Sequence, residues 1–232
     1  GAVMGSKNLL AIVVEDGPQR LDIGKVIEIN KEISKGDRTA KYRKLGTHEG
    51  NVSSMNHLGV LPNRNFSQGS DPDVEALERE NFSQQGYSVR DKGCLGCGIR
   101  CWKEISKDDK VLGKLDFEPG NLLGPNIGIY SLEDVMELVE ISDTFGMDAM
   151  SAGVCLAYEM EKEGRFGDFK FARDTLMEIG VGNHPLKEGV MRYSNDAGNA
   201  MHVKGVEIAA YFGNMNPGYA FAIGGVKYRT DA

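Results

Sequence analysis

The chain is 232 residues long, with 41% hydrophobic and 26% charged residues, which is ordinary for a globular protein. No run approaches the ~18 consecutive apolar residues that a membrane span needs. The formal net charge of −7 argues against a surface that binds duplex nucleic acid. Four cysteines are too few for a secreted domain of this size that is stabilised by disulfides. We therefore expect a reducing, cytoplasmic setting.

The chain opens with an apolar segment, Leu9 to Val14, which predicts one buried strand. No partner strand is evident nearby, and the last residues, GGVKYRTDA, carry no signal for a closing helix. We therefore expect both ends to have been cut from a longer protein.

Helix signals dominate the rest of the chain. Asp22, Ser131 and Asp148 are typical N-caps, and Asp71 is a cap followed by a first-turn proline. The predicted helices cover 22–36, 71–86, 148–164, 169–179 and 185–194, and a further helix begins at Ser131 with an apolar stripe that includes Val139. Residues 47–69, rich in Asn, Gly and Ser, predict a long irregular loop, and 110–117 a short hairpin. The expected fold is mainly α and multihelical, with a short strand at its start.

Three of the four cysteines lie in CLGCGIRC, residues 94–101, with the spacing C-x2-C-x3-C. A tight loop of this kind turns three thiolates toward one centre, where a cation must offset their repulsion. Gly96 and Gly98 relieve the cost of the positive φ angles that such a loop needs. Backbone N–H groups in the loop can donate to cluster sulfurs.

Three other interpretations of the cysteines remain open. A redox disulfide explains Cys94 and Cys97 but leaves Cys101 unused, and buried unreactive thiols are a second possibility. A zinc site is the third, although zinc usually takes a second pair of ligands. The remaining cysteine, Cys155, is predicted to be a core thiol in a helix, and His184 and His202 stand alone. We therefore expect any fourth ligand to come from outside this chain.

A series of motifs together resembles the tungsten-containing aldehyde:ferredoxin oxidoreductase family. The resemblance spans 1–208 and rests on the following segments in the family's order: GAVMGSKNLLAI, LGVLPNRNF, CLGCGIRC, DFEPGNLLGPNIGI, DTFGMDAMSAG and HVKGVEI. It implies that 1–17 are the end of a preceding cofactor-binding domain. It also implies that 18–232 form an α-helical domain that bears an iron–sulfur cluster.

The resemblance implies an enzyme that oxidises aldehydes to carboxylic acids at a tungsten, or less often molybdenum, bis-pterin. Electrons would pass through a [4Fe–4S] cluster to ferredoxin. Cys94, Cys97 and Cys101 match three cluster ligands, and the fourth would lie in a domain that this chain lacks. A homodimer is one assembly that the resemblance allows, and the fragment alone is expected to be inactive.

The same resemblance assigns further site residues. Asp143, Met147 and Asp148 match the family's pterin-binding turn, which usually has Leu at the position of Met147. One carboxylate can accept from both the amino group and the ring N–H of a pterin, although Asp148 would also serve as a plain helix cap. Glu118 matches a carboxylate of the substrate pocket and is the expected catalytic residue, but it could equally be a surface Glu before a proline–glycine turn.

Other positions weaken the match or stay undecided. Glu137 and His184 fall near positions that some members use for an iron between subunits, but His184 needs a shifted alignment. After HVKG the family's arginine is absent, and Leu10 stands where Lys is common. The substrate is therefore left open. The alternative function is a structural zinc-binding or interaction module without redox chemistry.

Overall fold

The computed structural model describes residues 2–15, 17, 22–94 and 97–212. Its α-helices are α1 (Ala2–Ser6), α2 (Ile23–Lys35), α3 (Ala40–His57), α4 (Arg79–Phe82), α5 (Phe117–Leu122), α6 (Leu132–Thr144), α7 (Ala149–Lys162), α8 (Phe169–Gly180) and α9 (Val190–Ser194). Its strands are β1 (Tyr87–Lys92), β2 (Trp102–Lys107), β3 (Lys110–Leu115), β4 (His202–Val203) and β5 (Val206–Glu207). Short 3-10 helices cover Asp37–Thr39, Pro72–Leu77, Pro125–Ile127 and Pro185–Glu188. The described chain is thus largely helical with small antiparallel sheets.

The predicted N-caps are confirmed. The Asp22 carboxylate accepts from the Lys25 N–H at 3.0 Å, and Ser131 Oγ accepts from the Asp134 N–H at 3.4 Å. Each side chain satisfies a backbone donor that has no partner inside its helix. Of the later predictions, 169–179 is one helix, whereas 185–194 is divided at Gly189, whose φ is 88°.

The helix predicted over 71–86 is broken into two pieces. Asp71 caps the first piece, the 3-10 helix Pro72–Leu77, by accepting from the Asp73 N–H at 2.9 Å. Glu78 is extended, with ψ at 138°, so α4 starts anew after it.

The prediction of an irregular loop over 47–69 is wrong for its first half, because α3 continues to His57. Gly46 interrupts the helix with φ at 77° and ψ at −177°. Beyond this kink, Val52 and Met55 are buried in the core. Their burial overrides the weak helix propensity of the Asn, Gly and Ser residues around them.

The predicted N-terminal strand is also wrong. Residues 9–15 have no regular secondary structure, and the side chains of Leu10 and Val13 are 100% and 85% exposed. A strand needs a partner for its backbone groups, and in the part of the chain that the structure describes no strand pairs with this segment.

The main sheet has the order β1-β2-β3 and is antiparallel throughout. The hairpin predicted over 110–117 is wrong, because residues 110–115 form the single strand β3. This strand pairs with β2, and the turn between them, at Asp108 and Asp109, lies before residue 110. Strand β1 pairs with β2 up to Lys92 opposite Trp102, so the cysteine segment is the loop that joins these two strands.

Helix α7 lies between two clusters of buried apolar residues. Leu156 and Met160 belong to the cluster that includes α6 and α8, whereas Val154 and Tyr158 belong to the cluster that includes α3 and α5. Cys155 is 4% exposed in the second cluster, as predicted for a core thiol. This packing fixes the α6–α7 corner against the start of α5.

Candidate functional site

The cysteine loop, residues 94–101, is held at both ends by the paired strands β1 and β2. Within it, the Cys97 N–H donates to the Cys94 carbonyl at 3.0 Å, which closes a turn. Cys94 is exposed, Cys97 and Cys101 are half-buried, and all three are free thiols, so the disulfide interpretation has no support here.

The role expected of the loop glycines needs a correction. Gly96 lies outside the described residues, and Gly98 does not have a positive φ, whereas Arg100 does, at 53°. Glycine is required at 98 for a different reason. A Cβ there would lie 2.6 Å from Ser34 Cβ, and the Gly98 N–H donates to Asn30 Oδ1 at 3.0 Å.

Helix α2 therefore lies against the cysteine loop through its polar side. Its predicted apolar face, by contrast, is exposed: Ile23, Val26 and Ile27 keep 44–49% of their surface. Because the polar side carries Asn30 and Ser34, the helix supports the loop with hydrogen bonding and close contact.

The local environments of Cys97 and Cys101 shift the pKa values of the two thiols in opposite directions. Backbone N–H groups of Ile99 and Arg100 point at this sulfur and lower the pKa of the Cys97 thiol. The pKa of Cys101 is raised, first by burial and then by the carboxylate of Asp116. A thiol in that setting ionises readily only when a cation is bound beside it.

These residues fit a thiolate-bound metal centre. A cavity of about 940 Å³ lies beside Cys94 and Cys97, and basic side chains of Arg90, Lys92 and Arg100 contribute to its wall. Three thiols on one loop, with backbone donors directed at a sulfur, suit an iron–sulfur cluster. As they stand, no three His, Cys, Asp or Glu side chains of the described residues converge on a single metal position.

A second cavity, of about 510 Å³, collects the other predicted site residues. We call it the acidic cavity. Its wall includes the four predicted residues Glu118, Asp143, Met147 and Asp148, together with Thr47, Lys114, Asp116, Pro119, Gly146, Ala149 and Met150. Residues from two of the family-like motifs and from the five elements α3, β3, α5, α6 and α7 thus meet in one place.

The α6–α7 corner places Asp143 and Asp148 on this cavity. Gly146 takes a left-handed φ of 65°, and the Met147 N–H donates to the Ser142 carbonyl at 2.9 Å. Asp148 Oδ1 accepts from the N–H groups of Met150 and Ser151 at 3.0 and 3.1 Å. The cap function is therefore confirmed, while the pterin-binding function of these residues stays a prediction.

Glu118 lies in the first turn of α5 and on the wall of the acidic cavity. The alternative of a turn at Pro119 and Gly120 is wrong, because both residues belong to α5. Gly120 is needed there for close packing, since a Cβ would lie 2.8 Å from His48 Nδ1.

Asp116 and Thr47 are residues of this cavity that sequence reasoning missed. The pKa of Asp116 is raised by burial and by the neighbouring Asp143, against the effect of Lys114. Only its place in the DFE triplet could have drawn attention to it. Thr47 gave no such signal, because the segment around it was predicted to be a loop.

The acidic cavity and the cysteine loop adjoin each other. The Thr47 N–H donates to the Cys101 carbonyl at 2.9 Å. The Asp116 carboxylate contributes, after burial, to the raised pKa of the Cys101 thiol. Glu137 and His184, in contrast, have separate partners: Glu137 lies 3.7 Å from Arg173, and His184 lies 4.0 Å from Glu159.

The largely helical fold thus places the three-cysteine loop beside the acidic cavity. The family model described as aldehyde ferredoxin oxidoreductase, domains 2 and 3, matches residues 25–227. The chain belongs to this family. None of the helices in the described residues is both long and apolar enough to span a membrane.

Several curated proteins are similar to the chain. The tungsten-containing aldehyde ferredoxin oxidoreductase of Pyrococcus horikoshii is 34% identical over 175 residues, which covers 69% of this chain and 28% of that protein. The protein of the same description from Pyrococcus furiosus is 30% identical over 246 residues, covering 91% and 39%. The aliphatic sulfonate oxidoreductase, WOR-like subunit, of Pyrococcus furiosus is 26% identical over 246 residues. The chain thus spans between 28% and 39% of the length of these relatives.

Proposed function

We propose that the chain is the cluster-bearing part of an oxidoreductase that converts aldehydes to carboxylic acids at a tungsten or molybdenum bis-pterin. Electrons leave through a [4Fe–4S] cluster to ferredoxin. One observation carries the proposal: Glu118, Asp143, Met147 and Asp148 line a single cavity that adjoins the cysteine loop. Family membership and the tungsten-containing relatives support the choice of chemistry.

In this proposal each group of residues has a distinct task. Cys94, Cys97 and Cys101 hold the cluster, and the N–H groups of Ile99 and Arg100 stabilise negative charge on Cys97. A pterin-bound metal held at this site would supply the two-electron oxidation of the substrate carbon. Further parts of the protein supply the fourth cluster ligand and the opposite wall of the pterin site.

The acidic cavity provides hydrogen-bond acceptors for the pterin. Asp143 and Asp148 lie at either end of the α6–α7 corner, where each carboxylate can accept from the amino and ring N–H groups. Glu118, at the start of α5, holds or removes a proton of the attacking water. These residues form only one wall, so this chain alone is expected to be inactive.

The test is aldehyde oxidation by the full-length protein, purified without oxygen and assayed with reduced ferredoxin as the readout. Glu118→Gln keeps the size of the side chain but cannot act as a base, and we expect a loss of about 10²–10⁴ in turnover. Tungsten content should be unchanged. The matched control is Glu163→Gln, on an exposed carboxylate at the end of α7. Turnover by Glu118→Gln equal to that of wild type would remove Glu118 from the mechanism, and no turnover with any aldehyde would contradict the proposed reaction.

A further inference from the structure

Thr47 occupies the place where the cysteine loop and the acidic cavity come together. It follows the kink at Gly46, where α3 changes direction. A Cβ at Gly46 would lie 2.9 Å from the Cys101 carbonyl oxygen and 2.7 Å from Lys103 Cε. Glycine at 46 therefore lets the α3 backbone approach the start of β2, and this approach positions Thr47.

The two polar groups of Thr47 differ in whether they have a hydrogen-bond partner. Its backbone N–H donates to the Cys101 carbonyl at 2.9 Å. Thr47 also belongs to the wall of the acidic cavity, and its hydroxyl oxygen is buried with no hydrogen-bond partner among the described residues. A buried hydroxyl without a partner is costly, so the cavity is arranged for an occupant that supplies one.

The other groups of the cavity restrict what that occupant is. Asp116, Asp143 and Asp148 present carboxylate oxygens on the same wall. A hydroxyl can both donate and accept, whereas a carboxylate group accepts. The wall therefore suits the edge of a fused heterocycle that carries several N–H donors beside an acceptor. The volume of about 510 Å³ is adequate for one such ring system.

We propose that Thr47 is a further cofactor-binding residue, whose hydroxyl hydrogen-bonds the organic cofactor in the acidic cavity while its backbone N–H holds Cys101. The inference rests on the proposed function, since the pterin is the occupant that function requires. Thr47 therefore contacts both the cysteine loop and the cofactor in the acidic cavity. Loss of the hydroxyl loosens the cofactor without removing any cluster ligand.

The test compares Thr47→Val, which keeps the shape, with Thr47→Ser, which keeps the hydroxyl. The full-length protein, purified without oxygen, is dialysed against chelator, and bound tungsten, pterin and iron are measured over time. We expect Thr47→Val to lose tungsten and pterin about tenfold faster than wild type, because one hydrogen bond to a buried group has about that effect. Iron should be retained, and Thr47→Ser should behave as wild type.

The control for a general loss of stability is Thr175→Val, at a buried threonine of α8 that lies away from both cavities. It should lose cofactor at the wild-type rate. Equal rates for Thr47→Val and wild type would overturn the inference and leave the proposed function intact. A Thr47→Ser protein that loses cofactor as fast as Thr47→Val would also overturn it. A wild-type protein that holds no pterin at all would overturn the proposed function itself, and this inference with it.

Discussion

Gly153, in α7, packs closely against α5, the helix that carries Glu118. A Cβ at this residue would lie 2.7 Å from Leu122 Cβ and 2.8 Å from the Leu122 carbonyl carbon and oxygen. Two of these atoms belong to the backbone of α5, the helix that carries Glu118. Gly153→Ala therefore pushes two helices apart and cannot be relieved by a side-chain rotation.

The size of the effect follows from two opposing terms. Replacing Gly by Ala inside a helix favours folding by about 1 kcal/mol. Moving the contact from 2.7 Å to the ordinary limit of 3.4 Å shifts α5 by several tenths of an ångström in a buried interface. Overpacking of this kind costs about 1–3 kcal/mol. Since the contact is with backbone atoms, we expect an overpacking cost of about 2–3 kcal/mol. Less the gain in helix propensity of about 1 kcal/mol, Gly153→Ala should lower the free energy of unfolding by about 1–2 kcal/mol.

The assay is urea unfolding followed by circular dichroism, with Gly50→Ala as the matched control. Gly50 also lies in a helix, but a Cβ there meets only the flexible end of the Lys41 side chain at 2.9 Å. Gly50→Ala should therefore raise the unfolding free energy by about 0.5–1 kcal/mol. A Gly153→Ala protein as stable as wild type, or more stable, would refute the packing argument.

Two further predictions concern buried charges. Burial and the nearby Glu80 raise the pKa of Glu49 to about 7, so the folded protein holds this proton more tightly than the unfolded chain. The stability should then fall as pH rises from about 4.5 to 7, and Glu49→Gln should remove this loss, on the order of 3 kcal/mol, in unfolding measured across that range. Lys103, whose side chain is 4% exposed, lies 2.6 Å from Asp91, and Lys103→Met should cost about 1–3 kcal/mol. A double-mutant cycle with Asp91→Asn checks this value, and a coupling energy near zero would contradict it.

The helix starts were predictable because they depend on contacts three residues apart. Ser131 and Asp148 each accept from N–H groups of the next turn, and such local patterns are visible in the sequence. Helix α3 was not predictable, since its second half is held by the burial of Val52 and Met55 against distant elements. The exposed Leu10 shows the reverse case, in which an apolar segment did not become a buried strand.

The cysteine loop of the candidate site was predictable from the sequence, whereas the acidic cavity as a whole was not. The spacing of Cys94, Cys97 and Cys101 marked the loop, because the three residues lie close together in the sequence. The acidic cavity brings Thr47 to Asp116 across many residues, and no sequence pattern encodes that approach. It depends on the kink of α3 and on the packing of α5, both of which are tertiary effects.

The most direct test of the account is the metal content of the full-length protein purified without oxygen. Iron, acid-labile sulfide, tungsten and zinc should be measured beside the visible absorption spectrum, for wild type, Cys97→Ser and Cys155→Ser. We expect about four irons per chain with matching sulfide in wild type and Cys155→Ser, a strong loss of both in Cys97→Ser, and bound tungsten in wild type. Zinc alone, without sulfide, tungsten or a chromophore, would mean that residues 94–101 form a structural clasp and would contradict the redox function.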